Sequence, residues 1–156
     1  MKLSELIKQD RFRSSGQEAM LNVLVTSSWI TSAMAAAMAP YGITPAQYNV
    51  LRILRGSHPE TLTCSELGER LLDRTPDVTR LLNRLERNGL IRRERATHDR
   101  RVVEVGIAEE GLALLERMQD DVEAVQERIT GPLSPEEHTR LITLLERLRA
   151  SQAADG

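Results

Sequence analysis

Ten arginines fall between Arg70 and Arg101, against five acids at Asp73, Asp77, Glu86, Glu94 and Asp99. A guanidinium keeps its charge at any physiological pH and presents five N–H donors in a fixed fork, which suits phosphate oxygens and the acceptor edges of bases. The window sums to +5 while the whole chain of 156 residues carries −2, leaving −7 for the remainder. Charge placement therefore matters more than net charge, and the cluster predicts a cationic surface facing a polyanion.

Other chemistries find little support in the residues. One cysteine, Cys64, excludes an intramolecular disulfide framework or a multi-cysteine zinc site. Cys64 is expected to be a buried structural thiol, the other reading being a helix-start thiolate that senses oxidants. His58, His98 and His138 lie in separate segments without i, i+4 partners, so they read as satisfied surface histidines and no metal or other cofactor is expected. There is no glycine-rich phosphate loop and no nucleophile with a plausible base, which argues against an enzyme.

The elements around the arginine cluster follow from pattern and punctuation. Gln17 to Met38 contains no Gly or Pro, and Met20, Leu24, Ser27, Thr31, Met34 and Met38 recur at helical spacing, predicting one long helix. Thr44-Pro45 is a cap and first-turn pair opening a helix over Ala46–Arg55. Thr63-Cys64-Ser65-Glu66 fits a capping box for a short helix to about Leu72. Thr75-Pro76 repeats the cap signal, and Val78, Leu81, Leu82 and Leu85 follow i, i+3, i+4, i+7 until Gly89. The opposite face of that helix offers Pro76, Asp77, Thr79, Arg80, Asn83, Arg84 and Arg87 as donors and acceptors for DNA, with Thr75 at its start. The plainer reading of Arg80, Asn83 and Arg84 is a solvated helix face.

Two short helices joined by a three-residue turn make a helix-turn-helix. Leu90–Arg95 and Arg101–Ile107 then read as a hairpin around a polar tip of Ala96, Thr97, His98, Asp99 and Arg100, with Val103, Val105 and Ile107 on one strand face. Helices follow over Glu109–Ile129 and, after a second capping box at Ser134 to Glu137, through Leu141, Leu144, Leu145 and Leu148. The fold class is thus mainly α with a small β-hairpin wing. The chain reads as a single domain over 1–156, with a DNA-binding lobe at 44–108. Apolar stripes at 17–40 and 109–150 need a partner, and a homodimer supplies one. No apolar run reaches the roughly 18 residues of a membrane span and the polar start lacks a signal-peptide core, so a cytoplasmic protein without a membrane partner is expected.

The segments ITPAQYNVLRILRG, LTCSELGERL, TPDVTRLLNRLERNGLIRR and DRRVVEVGIAEEGLALL together resemble the MarR family of winged helix-turn-helix regulators over residues 40–150. The most specific portions are the junction from Arg84 to Arg93 and the wing signature at Asp99 and Arg101. The resemblance implies an obligate homodimer built from the terminal helices and a recognition helix over about Thr75–Asn88. It also implies that Arg101 enters the minor groove, oriented by Asp99, with Arg100 beside it on the tip. A narrow minor groove has enhanced negative potential and attracts a guanidinium, which supports that role on separate grounds; the plainer reading is a loop-stabilising ion pair.

The family often binds small aromatic or phenolic effectors between its dimer helices and its DNA-binding lobe. Trp29, Tyr41 and Tyr48 fall in segments able to line such a cleft, with core packing as their plainer role, and Arg52 or Arg55 could pair an anionic ligand. One departure is Gly106-Ile107-Ala108, where the family usually has Leu-Thr, and this weakens the cap of the next helix. The function implied is a ligand-responsive repressor that binds a pseudo-palindromic operator in double-stranded DNA. The alternative is a winged-helix protein-interaction module without specific DNA binding.

Overall fold

The computed structural model describes residues 1–73, 77–96, 99 and 101–150. In chain order these form α1 (Leu3–Ile7), α2 (Ser15–Met38), a 3-10 turn (Ala39–Tyr41), α3 (Pro45–Ser57), β1 (Leu62–Thr63) and α4 (Cys64–Arg70). There follow α5 (Val78–Arg87), β2 (Ile91–Arg95), β3 (Val103–Ile107), α6 (Glu109–Thr130) and α7 (Pro135–Ala150). The mainly helical class with a hairpin wing is what the sequence predicts. Added to it are α1 and the short strand β1, which makes the sheet three-stranded and antiparallel in the order β1-β3-β2.

Local chemistry sets most of the boundaries. Thr44 accepts the Gln47 N–H at 3.3 Å while the Gln47 side chain accepts the Thr44 N–H at 2.9 Å, fixing the start of α3. Thr63 and Glu66 exchange the same reciprocal bonds before α4. Ser134 and Glu137 do so before α7. At α6 the residue before the helix is Ala108, which supplies no side-chain cap, as the departure from Leu-Thr implies. The α4–α5 connection occupies 71–77, longer than the three-residue turn expected. Its Leu72 N–H is held by Asn49 Oδ1 at 2.9 Å.

The core is centred on residues 44–108 and takes in Met38 of α2 and Leu114, Leu115 and Met118 of α6. Leu51 and Leu54 of α3, Leu67 of α4, Leu82 and Leu85 of α5, Val105 of β3 and Met118 of α6 are all fully buried. The wing is seated on this core by its base: Ile91 pairs with Ile107 in the ladder and both are buried, whereas Val103 at the far end is exposed. Alternation of Val103, Val105 and Ile107 therefore buries the last two only. Gly111 allows α6 to press on the start of the wing, since a Cβ there would lie 2.3 Å from the Leu90 carbonyl oxygen.

The terminal helices contrast with the lobe. Helix α7 has no buried residue, and Leu141, Ile142, Leu144 and Leu148 are exposed. On α2 the expected stripe divides, with Met38 buried and Met20 and Leu24 open to solvent. Trp29 is half exposed rather than packed in the core. Contrary to the sequence reading, the helical stretch Ser15–Tyr41 is long and apolar enough by length and composition to cross a membrane, and none of its most apolar window is buried. Two of its hydroxyls are satisfied within the helix, Thr31 and Ser32 donating to the Ser27 and Ser28 carbonyls at 2.9 Å.

Candidate nucleic-acid interface

Helix α5 begins at Val78, two residues later than the Thr75-Pro76 signal predicts. Asp77 is its N-cap, with Oδ1 accepting the Arg80 N–H at 3.2 Å. An aspartate at this position satisfies an orphan donor and complements the helix dipole. Thr75 and Pro76 lie outside the described residues. Leu82 and Leu85 anchor the inner face, and Gly89 ends the helix in the left-handed region at φ 70°, its N–H bonded to the Glu86 carbonyl at 2.9 Å.

Anchoring that face leaves Asp77, Thr79, Arg80, Asn83, Arg84 and Arg87 exposed. Arg80 and Arg84, four residues apart, line a shallow groove of about 310 Å3 with Asp77 and Leu81. Among the described residues, the guanidiniums of Arg80, Arg84 and Arg87 have no ion-pair partner. Asn83 stands differently: its carbonyl oxygen accepts a bond from Arg93 of β2. Asn83 thus faces the wing, and the arginines face outward.

At the wing tip Asp99 acts on the backbone. Its Oδ1 accepts the Arg101 N–H at 2.9 Å and its carbonyl accepts the Val102 N–H at 3.0 Å. The carboxylate therefore shapes the turn from which the exposed Arg101 side chain departs, rather than pairing with its guanidinium. Arg100 and His98 lie outside the described residues. Arg92 approaches Glu94 at 3.9 Å on the exposed strand face, a distance at which the pair contributes little.

Behind α5 lies an open cleft of about 1150 Å3 between α2, α3, α6 and residues 71–73. Its walls include Met34, Tyr48, Arg52, Arg55, Leu81 and Val122. Of the five aromatic and cationic residues expected at an effector site, Tyr48, Arg52 and Arg55 are brought to this cleft. The Arg52 guanidinium lies 6.0 Å from the Tyr48 ring centre and donates to its hydroxyl at 3.4 Å. Trp29 and Tyr41 do not line the cleft. Tyr41 instead ties the 3-10 turn to α6, donating to Asp121 Oδ2 at 2.7 Å, and this bond, with lesser contributions from desolvation and the negative charge of Asp121, raises its phenol above the usual value.

Cys64 is exposed, not buried, because it occupies the first turn of α4 on the solvent side. His138 is satisfied but half buried, its Nε2 lying 2.9 Å from the Thr130 carbonyl oxygen. Sequence reasoning missed Asn49, which reaches Leu72 across 23 positions, and the tie from Arg93 of β2 back to α5. The only trace of the second is that Arg93 sits two residues after buried Ile91 and so shares its strand face.

An arginine-lined helix packed against the first strand of a β-hairpin is the geometry of a winged helix-turn-helix, and comparison with known proteins names the lineage. The family model described as MarR family matches residues 41–102. The transcriptional repressor MdtR of Bacillus subtilis is 34% identical over 122 residues, 78% of this chain and 76% of its own. A crystal structure of a MarR transcription factor from Planctomyces limnophilus is 37% identical with TM-score 0.68, covering 87% of this chain and 98% of that one. The chain belongs to the MarR family of transcriptional regulators. A mutant E. coli MarR solved in complex with operator DNA matches with 26% identity and TM-score 0.73, over 81% of this chain and 89% of that MarR. These MarR-family relatives are transcription factors rather than enzymes.

Proposed function

We propose that this MarR-family regulator binds double-stranded DNA as a homodimer, laying α5 in the major groove and Arg101 in the adjacent minor groove. The observation that carries this reading is the exposed row of Arg80, Arg84 and Arg87 on α5, which among the described residues has no ion-pair partner, together with the Asp99 carboxylate that holds the Arg101 N–H. The co-crystallised E. coli relative, which holds operator DNA, supports it. The lobe is 44–108, and residues 17–40 and 109–150 form the dimer. The open apolar faces of α2 and α7 support that assignment, since a partner chain would cover them, and a soluble dimer in the cytoplasm explains α2 without a membrane. A two-fold dimer places its reading helices in successive major grooves, about 34 to 36 Å apart, and demands a pseudo-palindromic site.

Repression follows the role named for MdtR. A small aromatic or phenolic effector in the cleft would touch Tyr48 and Arg52 on one side and Leu81 of α5 on the other, so occupancy and the position of α5 are physically linked. Its aromatic ring suits Tyr48 and a carboxylate or phenolate suits Arg52. The test is to titrate the purified protein with a panel of benzoates and phenols while following binding to its selected DNA site. Release of DNA by one class, lost in Arg52→Ala, supports the effector role. DNA binding that responds to no member, with no binding detected by calorimetry, rejects it.

A further inference from the structure

The charge of Arg93, on the wing strand β2, is neutralised by the helix below it. Strand alternation puts Ile91, Arg93 and Arg95 on one face of β2, and Ile91 is buried against the core. Arg93, one step further out, reaches α5 in place of an apolar side chain. Its Nε donates to Glu86 Oε2 at 3.0 Å, and its Nη2 donates to the same oxygen at 2.6 Å and to Asn83 Oδ1. Glu86 and Asn83 are three residues apart, so a single guanidinium spans one turn of the helix. The Arg93 side chain is only 19% exposed, which distinguishes this pair from the open Arg92–Glu94 pair on the opposite strand face.

We propose that Arg93 is a positioning residue that locks the root of the wing to α5, so that Arg101 and the arginines of the helix meet DNA with a fixed separation. The role rests on the DNA-binding reading above and extends it to a residue that touches no DNA. Two consequences set it apart from a simple charge count. Arg93 contributes nothing to phosphate neutralisation, because Glu86 already cancels it. Glu86, an acid on a helix facing a polyanion, supports binding where Coulomb's law alone has it oppose binding.

The experiment compares wild type with Glu86→Ala, Arg93→Met and the double variant. Each is tested for affinity to the best duplex selected by the wild-type protein from a random pool and to a scrambled duplex, over a range of salt, and for amide hydrogen exchange without DNA. The lock predicts faster exchange in β2 and β3 for both single variants, and a selected-to-scrambled affinity ratio reduced about tenfold. The double variant should be no worse than the weaker single, and the salt slope of Arg93→Met should match wild type. A residue that only stabilises the fold would lower melting temperature and leave the ratio untouched. Tighter binding by Glu86→Ala, or an unchanged ratio, overturns the lock, as does unchanged exchange in the wing. If the wild-type protein selects no site, the DNA-binding reading fails and takes the positioning role with it. A selected site with unaltered ratios rejects the lock alone.

Discussion

The lobe and the terminal helices of this chain are built by the same residue types to opposite ends. In the lobe, leucines at helical spacing are fully buried, as with Leu54, Leu67, Leu82 and Leu85. In α7 the same spacing leaves Leu141, Leu144 and Leu148 roughly half exposed. Charge divides along similar lines, since the 70–101 window is at +5 and everything outside it at −7. Periodicity marks which face of a helix is apolar, but not whether the chain itself or another chain covers it. The lobe therefore carries most of the core and a cationic face, and the ends leave apolar faces that the proposed dimer would cover.

The largest effect that sharpens this contrast is a core truncation. Leu85→Ala should cost about 2–5 kcal/mol of unfolding free energy at any protein concentration, because a fully buried leucine loses its contacts and leaves a cavity. Chemical denaturation checks it. Replacing Leu144 and Leu148 together by glutamate should act otherwise, leaving the lobe folded while shifting the species seen by sedimentation from dimer to monomer. Loss of stability independent of concentration in that variant would break the comparison, since it would place α7 in the core of a single chain.

Gly111→Ala comes next, with an expected cost of about 1–3 kcal/mol, because its methyl group would meet the backbone oxygen of Leu90 and neither element yields easily. Unchanged thermal stability would mean that α6 does not bear on the wing root. Arg101→Ala should leave stability alone and weaken DNA binding by at least ~1 kcal/mol.

The smallest effect concerns the cap of α4. The Thr63 N–H and hydroxyl both hold the Glu66 carboxylate and keep it below its ordinary value of 4.5. A depressed folded value means the stabilisation is complete above 4.5 and fades as pH falls through the lower folded value. Thr63→Ala should lower the melting temperature at neutral pH by roughly 2–4 °C, and the gap to wild type should narrow in acid.

Much of this was legible in sequence where the determinants were local. The capping boxes at Thr63 and Ser134, the Thr44-Pro45 start, the stop at Gly89 and the hairpin all depend on residues within a few positions of one another. What escaped was set by distance or by competition. Strand β1 is two residues long and exists because Leu62 and Thr63 pair with Val105 and Glu104, some forty positions on. The start of α5 was read from Thr75-Pro76, whereas the side chain of Asp77, assigned to the DNA-facing surface, caps the helix. Asn83 shares the spacing of the outward arginines, yet its partner Arg93 lies on the next element and turns it toward the wing. For the effector residues, helical position alone could not separate Tyr48 and Arg52, which line the cleft, from Tyr41, which is engaged by Asp121.

The central claim is that the polarised surface reads DNA. The most direct measurement is to incubate the purified full chain with sheared DNA from its source genome, recover and sequence the bound fragments, and run Arg101→Ala alongside. The account predicts enrichment of a pseudo-palindromic site by the wild-type protein, diminished in the variant, with log affinity for that site falling by roughly 0.9 per neutralised phosphate for each tenfold rise in salt. No enrichment even at low salt would contradict it and leave the winged helix as a protein-interaction module.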